Sequence, residues 1–225
     1  MSKREINPLT AEPVALRRPR RGGAANLWLA GLLLEAARMV DEGIEPVEVE
    51  EAARATFDTE RGLLERIREI GVERLVEFLD DLSTPDGPED PFFRVYDNHF
   101  SPGEVFSRPE RLFPTEKGKT VEDWMLRDFL TKRFRAVAFM IAGELIDAGL
   151  LEVEELNRAA ARTLEAREGP FAMMNRLGIQ KSLAVVTERM EMSHRKEINF
   201  PIPRSLLEQA QKNTPWPINN RISKE

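Results

Sequence analysis

The chain has 225 residues, of which 32% are charged and 7% aromatic, and its acidic residues outnumber its basic residues by 39 to 33. A chain of this length can bury about 70% of its unfolded surface, which suits one larger domain or two small ones. The net charge of -6 gives no reason to expect a nucleic acid partner, and the absence of cysteine excludes disulfides and thiolate chemistry.

The sequence also argues against several other classes of protein. Two histidines in the whole chain exclude a histidine-rich metal site, so no metal is expected. No apolar run approaches about 18 residues, which predicts no membrane span. The N-terminus has no apolar signal core, and its acidic Glu5 and Glu12 argue against a transit peptide. A cytoplasmic protein is therefore expected.

Residues 1–22 contain three prolines and a cluster of four arginines (Arg17, Arg18, Arg20 and Arg21), and they are predicted to form an extended N-terminal arm. Its arginines suit either a solvated tail or a contact with a phosphate-bearing ligand or an acidic neighbouring subunit. The stretch from Asn26 to Gly43 then has apolar residues at three- and four-residue steps, which predicts a helix buried on more than one side. Gly43 suits a left-handed cap, and Pro46 suits the first turn of a second helix.

Further helices are predicted in residues 23–82 and again in 121–197. Gly71 divides the last two helices of the first group. Between the groups, residues 83–120 combine six prolines with six aromatic residues, which predicts an ordered connection with room for a short helix. A tail follows over residues 198–225, with a brief helix around Leu206 to Lys212.

The chain repeats a pattern of glycines and apolar residues. Gly43 corresponds to Gly149 with an offset of 106 residues, and the interval 62–71 corresponds to 169–178 with an offset of 107. Leu64, Ile67 and Ile70 fall on Phe171, Met174 and Leu177 within those intervals. The sequence therefore predicts an all-α fold built from two copies of a small helical unit that bury their faces against each other.

Several of these residues resemble a known family, the 3-hydroxyacyl-CoA dehydrogenases, in their C-terminal helical domain. The first repeat carries the similarity in Asn26, Glu35-Ala36, Glu42-Gly43 and Ala52. The second carries it in Gly169-Pro170-Phe171 and Asn175-Arg176-Leu177-Gly178. The tail is similar to the end of the multifunctional fatty-acid oxidation alpha subunits, which have two such domains in tandem, at Leu206, Ala210, Asn213, Pro215, Trp216 and Pro217.

The resemblance implies a split enzyme. In the family, a dinucleotide-binding domain supplies a catalytic His-Glu pair and the nicotinamide site, but these 225 residues contain no Gly-x-Gly-x-x-Gly. We therefore expect no cofactor on this chain alone and NAD on a partner subunit. The family's active-site Asn maps onto Asn26, which would be catalytic only with that partner, and its second-repeat counterpart is Lys132-Arg133. An N-cap is the structural alternative for Asn26.

Other polar residues have structural interpretations as well. Glu35, inside an apolar helix, suits either a buried carboxylate with a function or a salt-bridged structural acid. His99 lies beside an aspartate and aromatic residues that could tune its pKa, but a single histidine in a loop is more often structural. The acidic residues at two helix starts are expected only to favour the helix dipole; these are Glu48, Glu50, Glu51, Glu152, Glu154 and Glu155.

Two functional hypotheses follow. In the first, the chain is the substrate-side and dimerisation subunit of a split 3-hydroxyacyl-CoA dehydrogenase in acyl-CoA β-oxidation, with acyl-CoA as a candidate ligand. In the second, it is a non-catalytic assembly or scaffold protein that kept the helical module for oligomerisation. A homo-oligomer is expected in both, because some apolar residues exceed what one buried face requires; these are Leu27, Trp28, Leu34 and Phe139.

Overall fold

The computed structural model describes residues 23–82, 103–113, 123–194 and 201–218, and these residues form nine α-helices and no strand. Two 3-10 turns lie between the fourth and fifth helices, at Glu104–Ser107 and Pro109–Leu112. The α-helices are α1 (Gly23–Asp41), α2 (Pro46–Phe57), α3 (Leu63–Ile70), α4 (Val72–Leu82), α5 (Trp124–Asp147), α6 (Val153–Leu164), α7 (Pro170–Leu177), α8 (Ile179–His194) and α9 (Arg204–Lys212). The all-α prediction is confirmed.

Local sequence signals set the helix boundaries as predicted. α1 ends two residues before Gly43, whose φ of +90° suits glycine, and the Gly43 amide donates to the Val40 carbonyl at 3.0 Å. Pro46 occupies the first turn of α2, where a missing amide hydrogen costs nothing. Gly71, also with a φ of +90°, separates α3 from α4. The brief helix expected near the C-terminus is α9.

Helix boundaries recur along the chain at a fixed interval. The starts of α6, α7 and α8 follow those of α2, α3 and α4 by 153 − 46, 170 − 63 and 179 − 72 residues, which is 107 each time. The four residues between α1 and α2 become five between α5 and α6, which explains why Gly43 and Gly149 are only 106 apart. The glycines after α3 and α7 share a positive φ, +90° at Gly71 and +94° at Gly178.

The helices of the first repeat, α1 to α4, interlock with those of the second repeat, α5 to α8. α2 packs against α5, and α6 packs against α1, so the second helix of each set covers the first helix of the other. Trp28 in α1 donates its indole N–H to the Ala138 carbonyl of α5 at 3.0 Å, and its ring meets Phe57 edge-on. α1 and α5 thereby form the centre of one continuous apolar core.

This interlocking overturns one expectation from the sequence. Leu27, Trp28, Leu34 and Phe139 were expected to form an exposed patch for oligomerisation, but each is at most 1% exposed within the single chain. The prediction of an exposed patch was wrong, because helices from the other repeat cover the extra faces of α1 and α5. Among the described residues, the large hydrophobic side chains that are exposed are Trp124, Met125 and Leu207.

The two repeats differ on one side. α8 packs extensively on α5, whereas the main contacts of α4 are with α3. The two 3-10 turns lie against α1 and bury Val105 and Leu112 in the core. Of the connection predicted over residues 83–120, the structure describes residues 103–113, which include the two 3-10 turns. The N-terminal arm and His99 lie outside the described residues.

Candidate functional site

The most unusual feature of the core is a charged side chain at its centre. Glu35 lies in α1, is fully buried, and has apolar neighbours on both sides along the helix. An isolated carboxylate in such a place would cost several kcal/mol, so it requires cationic partners. The structure supplies three of them.

Three arginines from three helices converge on Glu35. Arg189 of α8 donates to Glu35 Oε1 at 2.8 Å, and Arg133 of α5 donates its Nε–H to the same oxygen. Arg38, one turn along α1, reaches Oε2 at 3.3 Å. Arg133 also forms a two-nitrogen contact with Glu42, in which Nη2 lies 3.1 Å from Oε1. We call these five residues the Glu35 cluster.

Charge and burial compete in the Glu35 cluster. Burial alone raises the pKa of Glu35, but Arg133, Arg189 and Arg38 outweigh it and lower that pKa to about 2. Burial lowers the pKa of Arg133, but Glu35 and Glu42 reverse the direction and raise it. Burial also lowers the pKa of Arg189, and there the repulsion from Arg133 and Arg38 adds to it against the attraction of Glu35.

The cluster is therefore built for fixed charge and not for proton transfer. A carboxyl group with a pKa of about 2 stays ionised at neutral pH and has no proton to give. The interpretation of Glu35 as a salt-bridged structural acid is confirmed, with partners 98 and 154 residues away in sequence.

A surface cleft opens beside the cluster, between α5 and α8. It is small, because the space within it that water can occupy is about 20 Å³, which is about one water molecule. Its walls combine apolar and charged side chains, and we call it the α5–α8 cleft; the lining residues are Phe129, Lys132, Arg133, Val185, Glu188, Arg189 and Met192. Lys132, which contacts Asp128 at 2.8 Å, is the more exposed cation, and Arg133 and Arg189 form the buried end.

Asn26 does not lie with this cluster. It is the fourth residue of α1 and 6% exposed, and nine residues of helix separate it from Glu35, which is about 13 Å along the axis. The N-cap alternative for Asn26 was wrong, because the helix is already formed at Gly23. Within the described part of the chain, the Asn26 side chain makes no hydrogen bond. Its second-repeat counterpart, Lys132-Arg133, lines the α5–α8 cleft.

Glu50 was also misassigned from the sequence. It was expected only to favour the dipole of its own helix, but it is 4% exposed and accepts hydrogen bonds from the Leu64 and Glu65 amides, at 2.8 and 2.9 Å. It therefore caps the following helix, α3, which has no side-chain cap from its own N-cap residue. The residue that could have indicated this contact is Gly62, because its lack of a Cβ leaves room for the Glu50 carboxylate.

Arg189 was not identified as a cluster residue from the sequence. The spacing of residues along α8 could have indicated its burial, because Ser182, Val186 and Arg189 lie on one buried face of that helix. An arginine on such a face requires a buried acid on a neighbouring helix, and Glu35 is an acid within α1, the most apolar of the described helices.

Two other kinds of site are absent from the described residues. They contain no group of three or more acidic or histidine side chains placed to hold a metal ion. None of the helices described there has the length and apolarity that a bilayer crossing requires.

Comparisons with known proteins identify no relative for this chain: no protein-family model, curated protein or solved structure matches it. The functional argument therefore depends on the residues and their geometry.

Proposed function

We propose that this chain is the helical, substrate-side subunit of a split 3-hydroxyacyl-CoA dehydrogenase that works in acyl-CoA β-oxidation. In this proposal a separate cytoplasmic subunit binds NAD and supplies the His-Glu pair. The helical subunit forms the second wall of the acyl-CoA site and excludes water from the hydride transfer. It also carries the dimerisation surface, so the working form is a homo-oligomer with the partner bound.

The observation that carries the proposal is the repeated, interlocked helical unit. The described residues form only helices, and the starts of three helices recur after 107 residues. The second helix of each repeat packs against the first helix of the other, α2 on α5 and α6 on α1. A tandem of helical domains of the dehydrogenase type is the arrangement that the residue resemblance implies. The proposal is therefore supported by two observations together: the residue resemblance suggests the domain type, and the described residues form an internal helical repeat.

Asn26 is the residue proposed to act at the reacting centre. The Asn26 side chain makes no hydrogen bond to another described residue, which leaves its amide available to a ligand. An acyl-CoA and a partner subunit seated over the start of α1 would give this amide a hydrogen-bonding role. Because Asn26 is the fourth residue of α1, the partner would have to meet α1 at its N-terminal end.

A second candidate function is a non-catalytic assembly protein that uses the helical module for oligomerisation. The burial of Asn26 favours it, because a side chain that a substrate must reach is normally accessible. The Glu35 cluster favours it as well, since its charged groups are engaged with one another and hold α1, α5 and α8 together.

Affinity capture from the native extract tests whether the chain is a subunit of a split enzyme or an assembly protein. The tagged chain should retain a protein that has a glycine-rich nucleotide-binding turn and a His-Glu pair. Asn26→Ala should retain the same protein but lower turnover of the complex by about 100-fold or more, because a preorganised donor is lost. Recovery of the chain alone, or with proteins that have no nucleotide-binding sequence, would contradict the split enzyme and favour the assembly protein.

A further inference from the structure

The N-terminal end of α5 extends beyond the part of the helix that the repeat explains. α1 and α5 end at equivalent aspartates, Asp41 and Asp147, but α5 has 24 residues and the described α1 has 19. The difference is the five residues Trp124–Asp128, and none of them is buried. Full burial along α5 begins only at Leu130. These five residues therefore contribute little to the core.

This end of α5 is a capped helix with an apolar surface. Asp123 is its N-cap, and the Oδ1 atom of Asp123 accepts from the Met125 and Leu126 amides at 2.8 and 3.3 Å. Trp124 is 74% exposed and Met125 is 64% exposed, which makes them the two most exposed large hydrophobic side chains among the described residues. Exposed apolar side chains that adjoin each other mark an interaction surface.

The charges of this part of α5 are complementary to the same part of a second copy. The charged residues between positions 123 and 132 are Asp123, Arg127, Asp128 and Lys132. Two copies side by side and antiparallel, centred between positions 127 and 128, would bring each Asp123 level with Lys132 of the other copy. Each Arg127 would lie level with Asp128 of the other copy. A parallel pair would bring like charges level, so the pattern favours an antiparallel pair about a two-fold axis.

We propose that two copies of this chain pair antiparallel through the N-terminal turns of α5. The pair covers Trp124 and Met125 and brings Arg127 of each copy to Asp128 of the other. Asp128 also contacts Lys132 of its own helix at 2.8 Å, so in the pair it lies between two cations. The pairing gives a location to the homo-oligomer of the proposed function and rests on that part of it. The nucleotide-binding partner is not involved, so the dehydrogenase function can fail while the pairing holds.

The size of the surface predicts a weak pair. A buried tryptophan covers about 150–250 Å², so the exposed parts of Trp124 and Met125 together amount to roughly 250 Å² in each copy. A stable complex of standard size buries about 800 Å² on each partner. We therefore expect a dissociation constant on the order of 100 µM.

Sedimentation equilibrium of the full chain tests the pairing. Between about 1 and 500 µM, the mass should rise from that of one chain, 25.7 kDa, towards twice that value. Trp124→Ala should weaken association at least about tenfold, because it removes the largest apolar contact. Leu207→Ala, at an exposed leucine of α9, is the matched control and should associate as the wild type does. A chain that stays monomeric throughout, or a dimer that Trp124→Ala leaves unchanged, would overturn the proposal.

Exchange of the two central charges tests the antiparallel register. Arg127→Glu alone brings two carboxylates level, and Asp128→Arg alone brings two guanidiniums level. Each change should weaken the pairing about tenfold, because a two-fold axis repeats the repulsion. The two changes combined restore both attractions and should pair within about threefold of the wild type. Both residues are exposed, so neither change disturbs the core. A combined variant that pairs as weakly as the single variants would contradict the antiparallel pair.

Discussion

Glu50 and Asn157 are 107 residues apart and perform the same task in the two repeats. Glu50 accepts from the Leu64 and Glu65 amides, and Asn157 Oδ1 accepts from the Phe171 and Ala172 amides, both at 3.0 Å. Each side chain therefore satisfies two amides at the start of the third helix of its own repeat. The two repeats therefore allow a charged cap, Glu50, to be compared with an uncharged cap, Asn157, in one molecule.

The charge of Glu50 should make stability depend on pH. Burial raises its pKa above the usual 4.5, although the Glu65 and Leu64 amides oppose the shift. A carboxyl group with a raised folded-state pKa contributes stability below its unfolded pKa and loses it as pH rises through the folded pKa. Glu50→Gln removes this titration, so wild type should lose stability relative to the variant as pH rises from about 4.5. Denaturant unfolding at a series of pH values measures the difference, and a constant difference would contradict the assignment.

The glycines beside these two caps should respond unequally to a methyl group. An added Cβ at Gly62 would lie 2.2 Å from the Glu50 carboxyl carbon, the end of a flexible side chain. At Gly169 it would lie 2.0 Å from the Asn157 backbone carbonyl oxygen, which cannot move without the helix. We expect Gly62→Ala to cost about 1 kcal/mol through the weakened cap, and Gly169→Ala to cost about 2–3 kcal/mol.

Both glycines have φ near −85°, so backbone strain does not enter the comparison. Thermal or denaturant unfolding of the two variants gives the ranking. Equal costs, or a larger cost at Gly62, would mean that the clash at Gly169 relaxes at little cost in free energy.

Removal of the central carboxylate should be among the most damaging single changes. Glu35→Gln keeps the shape but leaves Arg133 and Arg189 buried without their shared counter-ion, which costs about 3–5 kcal/mol. Glu208→Gln on α9 breaks an exposed contact with Arg204 and is the surface control; its unfolding curve should match that of the wild type. A Glu35→Gln protein as stable as wild type would show that the cluster does not stabilise the fold.

Acid should weaken the protein through the same residue. The Glu35 pKa is lowered to about 2, and a depressed folded-state pKa gives stability that is present above the ordinary value of 4.5 and is lost as pH falls towards 2. The contribution is about 3 kcal/mol. The free energies of unfolding of wild type and Glu35→Gln should therefore converge between about pH 4.5 and 2. A gap that stays constant over this range would contradict the assignment of the low pKa to Glu35.

The sequence predicted the boundaries of this fold better than its contacts. Gly43, Pro46 and Gly71 determine where helices begin and end through their immediate neighbours, so their effect could be predicted from the local sequence. Each lies at the helix boundary that the pattern predicted. The repeat was visible for the same reason. The spacing of apolar residues along one helix does not show which other helices will cover it. Leu27 and Phe139 were therefore predicted to be exposed, whereas both lie in the core.

The charged residues show the same limit. Glu35 was recognisable as an acid in an apolar helix, but its partners Arg133 and Arg189 come from 98 and 154 residues away. Nothing in the sequence near Arg189 specifies which helix it will face. Glu50 was misassigned because an acid at a helix start usually serves that helix, and only the tertiary fold shows that it caps the next one.

Turnover by the reconstituted complex tests the central claim most directly. The purified chain is mixed with the nucleotide-binding protein that it captures, and NADH oxidation with acetoacetyl-CoA is recorded for each protein alone and for the mixture. We expect no turnover by this chain alone, because its 225 residues contain no Gly-x-Gly-x-x-Gly, and a large gain in rate when both are present. A mixture that is no faster than the partner alone would contradict the account.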